Sequence, residues 1–326
     1  MPIPVIIGGA AVASGVAGVK KGLEGKKNFD KAKKIGKKAE KKFKRTKSKY
    51  ERVADSLESS SAKLGKLKLK IQANELKEFA ELYSQLEKSR LTEKDYKELE
   101  IDGFKDEIEQ MKKTSLNANE IINDGFKSLS TGALASLGIS GIATKVGVAS
   151  TGTKLATLSG AAATKAKLAW LGGGALKAGG GGVLLGKAVL FGAAAGPALA
   201  IAGFSIAKKS EKALTDAYEY KNDVDKKCAK INESIDILKV IKRRIKEVDD
   251  CLRRLKNKLR KNSNKLEVLI DRINSGLELS TSEEDLINYV FELAMETRKI
   301  MDKDILTDGN LNQDVKEQIN IINSKF

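Results

Sequence analysis

The chain has 326 residues, 41 % of them hydrophobic, and a net charge of +17. Apolar content of that order at that length fills one large core or two ordinary ones, which excludes a chain disordered throughout. Histidine is absent, and the two cysteines, Cys228 and Cys251, lie 23 residues apart, which excludes the usual zinc, haem and Cys-His nucleophile arrangements.

Only three prolines occur, Pro2, Pro4 and Pro197, and aromatic residues make up 5 % of the chain. With Lys, Glu, Leu and Ala abundant, the composition predicts an all-α protein with long helices. The charge is uneven. Between Lys20 and Lys70, 20 Lys or Arg residues face 6 Asp or Glu, whereas Glu278 to Phe326 holds 11 acidic and 5 basic residues. The basic stretch suits an anionic partner, lipid or nucleic acid, and the acidic end is able to dock on it.

Met1 to Val19 carries no charged side chain, and Lys20 and Lys21 follow it. A secretory signal places its positive charge ahead of the apolar run, so a cleavable export signal is not expected. An apolar anchor or a buried tail fits the order, with a cytoplasmic, membrane-associated location.

From Phe29 the apolar positions advance by three and four: Phe29, Ala32, Ile35, Ala39, Phe43, Tyr50, Val53, Leu57, Leu64, Leu67 and Ile71. After a small phase shift they continue through Leu76, Phe79, Tyr83 and Leu86. This predicts a coiled-coil seam on one helix, or two collinear ones, over residues 29–89. Within it, Lys33, Lys34, Lys37, Lys38, Lys41, Lys42, Lys44 and Arg45 form a basic cluster. Next to an apolar N-terminus, such a cluster is a second membrane-attachment signal, each cation contributing roughly 1 kcal/mol at an anionic surface. The plainer reading is a solvated helix face that keeps the protein soluble. A shorter helix is predicted over residues 93–113.

Between Gly125 and Ser210 there is no acidic residue, while Lys127, Lys145, Lys154, Lys165, Lys167, Lys177, Lys187, Lys208 and Lys209 are present. The tract ends in Ala188 to Ala207, 20 residues without a charge. At about 1.5 Å per residue a helix of that length reaches about 30 Å, the thickness of a bilayer's hydrocarbon core. Ala188, Leu190, Phe191, Gly192, Gly196, Pro197, Leu199, Ile201, Phe204 and Ile206 are its candidate insertion residues, with Gly192 and Gly196 as a small-xxx-small packing face. Upstream, each lysine at a helix centre costs about 2.5 to 3.5 kcal/mol to insert, so residues 145–177 make a poor span. Trp170 beside Lys165 and Lys167 suits the membrane interface. Tight packing of Ala and Gly inside a soluble core is the competing reading.

The seam resumes with Cys228, Ile231, Ile235, Leu238, Ile241, Ile245, Val248, Leu252, Leu255, Leu259, Leu266, Leu269 and Ile273, and Ser275-Gly276 closes it. Two long arms around an apolar tract predict an elongated antiparallel coiled-coil pair carrying a Gly/Ala-rich helical hairpin. Thr281 and Glu284 have capping-box spacing ahead of Leu286, Tyr289, Val290, Leu293 and Ala294, and a last helix is predicted over residues 312–322 after an Asp308-Gly309 turn. The chain thus reads as five segments: 1–19 apolar, 20–124 basic arm and short helix, 125–207 hairpin, 208–276 second arm, and 277–326 acidic helices.

Gly181 to Ala188 nearly matches a phosphate-binding loop, but Ala188 stands where a magnesium-ligating hydroxyl is required. No serine elbow, clustered catalytic carboxylates or CxxC pair occurs, so neither an enzyme, a cofactor nor a metal is expected. The opening PIPVIIGG with GVKKG, the segment LGKLKLKI at Leu64 to Ile71, and the Gly-rich block from Ala156 to Gly203 resemble a widespread bacterial family of uncharacterised helical proteins, often labelled hypothetical or chemotaxis protein. That resemblance implies no activity or functional residue. In architecture, long arms around an apolar hairpin are similar to α-helical pore-forming toxins of the cytolysin A and haemolysin BL type.

The expected function is therefore insertion into, and permeabilisation of, an anionic membrane by a homo-oligomer, as an intracellular toxin or defence effector. Two rivals stand beside it: a non-lytic, membrane-anchored scaffold with protein partners on its arms, and a coiled coil binding nucleic acid through charge alone.

Overall fold

The computed structural model describes residues 17–87, 105–125, 210–307 and 310–326, which are almost wholly helical. In chain order they form α1 (Ala17–Ala73), α2 (Glu75–Glu87), α3 (Lys105–Asn123), α4 (Ser210–Asn274), α5 (Thr281–Asp302), two-residue strands β1 (Leu306–Thr307) and β2 (Asn310–Leu311), and α6 (Gln313–Lys325). The all-α class read from composition is the class observed. Residues 1–16 of the apolar N-terminus, residues 126–209 of the acid-free tract with its insertion and interface residues, and the Asp308-Gly309 turn lie outside the described residues.

Two compact units divide these elements, and both long helices contribute to each. In the first, residues 17–50 of α1 associate with residues 210–233 of α4. The α1 stripe is Ala32, Ala39, Phe43 and Tyr50; the α4 stripe is Ala213, Ala217, Tyr220, Val224, Cys228 and Ile231, all buried. Phe29, expected to open the seam, is 39 % exposed, so the buried stripe begins at Ala32.

The second unit takes the rest of α1 and α4 with all the shorter helices. Asn74 scarcely interrupts α1 and α2, because Asn74 N–H donates to the Lys70 carbonyl (3.0 Å) and Glu78 N–H to that of Asn74 (2.8 Å). Leu57, Leu64, Ile71, Leu76, Phe79, Tyr83 and Leu86 are buried, as is the α4 seam from Ile235 to Ile273. Phe291 of α5 sets its ring 5.1 Å from both Phe79 and Tyr83, edge-on to the first. Burying three aromatic rings in one cluster stabilises by area and by edge-to-face geometry together.

Polar groups fix the register of α3. Buried Gln72 donates through Nε2 to Thr114 Oγ1 (2.8 Å) and Ser115 Oγ (3.0 Å), while Ser115 Oγ donates back to the Gln72 carbonyl (2.7 Å). Asn119 Nδ2 donates to the Ala73 carbonyl (3.1 Å). In a dry interface such groups are costly unless paired, so a slip of α3 along α1 leaves several of them unsatisfied.

Charge is buried here too. Lys68 is 2 % exposed, and the Asp302 carboxyl is pushed up to about 6 by desolvation, against the opposing pull of Arg298 and Lys68, with Asp304 adding to the rise. Glu75 is 5 % exposed; burial raises its carboxyl even with Lys256 Nζ 3.6 Å away, and its Oε2 has no hydrogen-bond partner among the described residues.

The direction of the two long helices differs from the expected antiparallel arms. In the second unit, Ser56 Oγ accepts from Lys242 Nζ (2.7 Å), and Glu75 of α2 pairs with Lys256. Numbers rise together on both sides, so α1–α2 and α4 run parallel. The first unit pairs the opening parts of both helices, with Lys42 Nζ 2.6 Å from Asp225 Oδ1. The apolar period specifies a seam but not the sense of its partner. Within the second unit α3 turns back along α2 and the end of α1, with Lys112 Nζ donating to Ser84 Oγ and Asn119 Nδ2 to the Ala73 carbonyl.

Helix ends follow local chemistry. Gly276 (φ +84°) takes the left-handed conformation that ends α4, letting Leu277 N–H reach the Arg272 carbonyl (3.3 Å). The α5 cap sits one residue before the expected Thr281: the Glu283 carboxylate accepts from Ser280 N–H (2.9 Å) and Ser280 Oγ (2.7 Å). Asn312 caps α6 through Oδ1, which accepts from Asp314 N–H (3.0 Å).

Candidate anionic-surface site

The eight basic residues read from the sequence, Lys33, Lys34, Lys37, Lys38, Lys41, Lys42, Lys44 and Arg45, all lie on α1 within the first unit, and all are exposed. At about 100° per residue they fan across roughly half of the helix circumference. Ala32, Gly36, Ala39 and Phe43 fall on the opposite side, and all four are buried. The helix is thus amphipathic in charge as well as hydropathy: small residues seat it, and lysines cover what remains. Lys37, Lys41 and Lys34 occupy the middle of the basic arc.

Pairing within the arc is sparse. Lys42 pairs with Asp225 (2.6 Å), which Lys221 also holds (2.6 Å), and Lys44 pairs with Glu40 (2.6 Å). Hydrogen bonds from Lys221 and then Lys42 hold the Asp225 carboxyl below its ordinary value, and the same contact raises the Lys42 ammonium. Lys33, Lys34, Lys37, Lys38, Lys41 and Arg45 make no ion pair with any described residue. Six uncompensated cations on one face produce a local positive field suited to a flat or extended anion.

The acidic C-terminal segment, an expected docking partner for basic charge, is engaged within the second unit. Glu292 pairs with Lys325 (3.5 Å), Glu283 with Arg272, and Glu296 accepts from Gln318 and Lys299. These contacts brace α5 against α4 and α6.

A second concentration of positive charge goes beyond the sequence reading. In the second unit, a groove of about 500 Å³ between α1 and α4 is lined by Lys63 and by a face of α4 that includes Lys239, Lys242, Arg243, Lys246 and Arg253. Its one carboxylate, Asp249, is held by Arg253 through Nε (2.7 Å) and Nη2 (3.3 Å). The run Lys242-Arg243-Arg244 with Lys246 is its sequence signal, but the concavity needs α1 alongside.

Cys228 and Cys251 are free and buried, as small apolar residues are; burial pushes the Cys251 thiol up. Among the described residues, no helix is long and apolar enough to cross a membrane. No family model, curated protein or solved structure matches the chain.

Proposed function

We propose that the protein attaches to anionic membranes through the basic face of α1 and permeabilises them as an oligomer, with Ala188–Ala207 as the inserting element. The observation that carries this reading is the exposed, largely unpaired cationic arc of α1, which supports electrostatic attraction to a surface of anionic headgroups. The sequence supplies the second part, an uncharged stretch of 20 residues at the end of an acid-free tract. An intracellular toxin or defence effector acting on the membrane of its own cell uses such parts.

Purified protein added to vesicles of phosphatidylcholine and phosphatidylserine is expected to float with them and to release a trapped dye. Binding without release at every protein density overturns permeabilisation and leaves the anchored scaffold, with protein partners on its arms. Tight duplex binding with no vesicle flotation overturns the membrane reading altogether in favour of nucleic acid. Gly192→Leu with Gly196→Leu is expected to abolish assembly on vesicles while flotation persists, because bulk at those positions blocks close helix approach.

A further inference from the structure

We infer that the groove between α1 and α4 in the second unit is a binding site for a compact polyphosphate anion, separate in residues and in unit from the basic arc of Lys33 to Arg45. The inference does not depend on membrane insertion.

Positive charge is left over in the groove. Lys239 is paired with Asp236 (2.8 Å), and Arg253 occupies Asp249. Lys242 spends one of its N–H donors on the neutral hydroxyl of Ser56 (2.7 Å), which positions the ammonium without neutralising it. Lys63, Arg243 and Lys246 make no ion pair with any described residue. Four cations therefore converge on one groove with no carboxylate assigned to them.

The cations on α4 are also closely spaced. Lys239, Lys242, Arg243 and Lys246 repeat at three- and four-residue intervals, so like charges stand directly above one another along α4. Such pairs destabilise a helix by a few tenths of a kcal/mol each. A bound anion reverses the sign of that effect, since each cation then has a counter-charge held in common.

The groove is concave. A convex row of lysines suits a surface, but here α1 contributes Ser60 and Lys63 as a facing wall, and the space enclosed is about 500 Å³, within the range of small-ligand sites. Buried Ile245 lies among the lining residues and anchors α4 in the core. Arg243 offers a planar fork for phosphate oxygens, and the lysines offer point charges around it. Several phosphate groups held close together, as in a condensed phosphate or a multiply phosphorylated inositol headgroup, satisfy four cations at once; a single carboxylate does not.

Inorganic tripolyphosphate is the first probe, titrated calorimetrically into the full chain at near-physiological salt. Saturable binding with a stoichiometry of one is expected, and Lys63→Gln with Arg243→Gln and Lys246→Gln is expected to weaken it roughly tenfold or more. All three side chains are exposed, and helical content by circular dichroism checks that the variant folds. Vesicles containing phosphatidylinositol bisphosphate, compared with vesicles of equal charge in phosphatidylserine, separate the two sources of the same chemistry. Loss of a bisphosphate preference in the variant assigns a lipid headgroup. Loss of tripolyphosphate binding with no bisphosphate preference in either protein assigns a free polyphosphate. No tripolyphosphate binding by the unmodified chain, equal binding by the variant, or an effect confined to duplex DNA overturns the inference. Dye release is read independently, so failure of the permeabilisation reading leaves these outcomes intact.

Discussion

Replacing Lys34, Lys37 and Lys41 with glutamine tests the α1 surface at its centre. These side chains are exposed, lie mid-arc and are unpaired with any described residue, so their removal subtracts charge without breaking an ion pair. Lysine and glutamine have similar helix propensity, which leaves α1 intact. At about 1 kcal/mol per cation near an anionic surface, three substitutions cost about 3 kcal/mol, or roughly two orders of magnitude in partitioning. Flotation on phosphatidylserine vesicles at low salt is the assay. The difference between the two proteins is expected to shrink as salt rises toward about 1 M, where the screening length falls to about 3 Å. The groove variant at Lys63, Arg243 and Lys246 removes the same net charge from the other unit and controls for total charge. Equal losses in both variants, or less than a tenfold loss in the α1 variant at low salt, refute the assignment of binding to this face.

Other outcomes follow from the packing. The Asp302 carboxyl has a folded-state value of about 6 against 3.8 for the ordinary group, so the folded chain binds more protons between those limits. Stability is expected to fall by up to about 3 kcal/mol as pH rises through that window. Urea midpoints measured across the window read the slope, and Asp302→Asn is expected to flatten it. An unchanged slope in the variant assigns the titration elsewhere. Phe291→Ala, which empties the space against Phe79 and Tyr83, is expected to cost about 3 to 5 kcal/mol in chemical denaturation. Gly276→Ala is expected to lower the unfolding free energy by about 1 to 2 kcal/mol through its left-handed backbone alone, because no atom lies within 4 Å of an added Cβ. Gly36→Ala meets equally open space in a helix interior and is expected to raise it by about 1 kcal/mol.

The long helices are legible in the sequence because their apolar positions recur with the helical period. From Ile231 to Ile273 every position assigned to the α4 seam is buried. The α5 cap shows why boundaries slip: Ser280 with Glu283 and Thr281 with Glu284 present the same spacing, and only the backbone chooses between them. Gln72, Thr114 and Ser115 are polar and lie off the apolar seam, yet they satisfy one another in a buried interface, a pairing across some 40 residues that no local pattern encodes. Of the candidate site, the basic arc is visible because it lies on one helix. The groove is not, because Lys63 and Lys246 are neighbours only through the fold. Helix direction is hidden for a related reason, since a seam of period near 3.5 packs equally well in either sense.

The association of α1 with α4 in the first unit bears on the proposed attachment to a bilayer. The apolar opening leads into α1 at Ala17, and the uncharged stretch leads into α4 at Ser210; the two helices are joined by the Lys42–Asp225 pair. Both apolar segments therefore lead into helices that associate within that unit. Engagement of either segment with lipid turns engagement of the other into an intramolecular event, governed by tether length rather than by protein concentration. Under the proposed membrane attachment, the two segments form a bivalent attachment point: two individually weak contacts, one at each chain entrance, combine into a grip neither supplies alone.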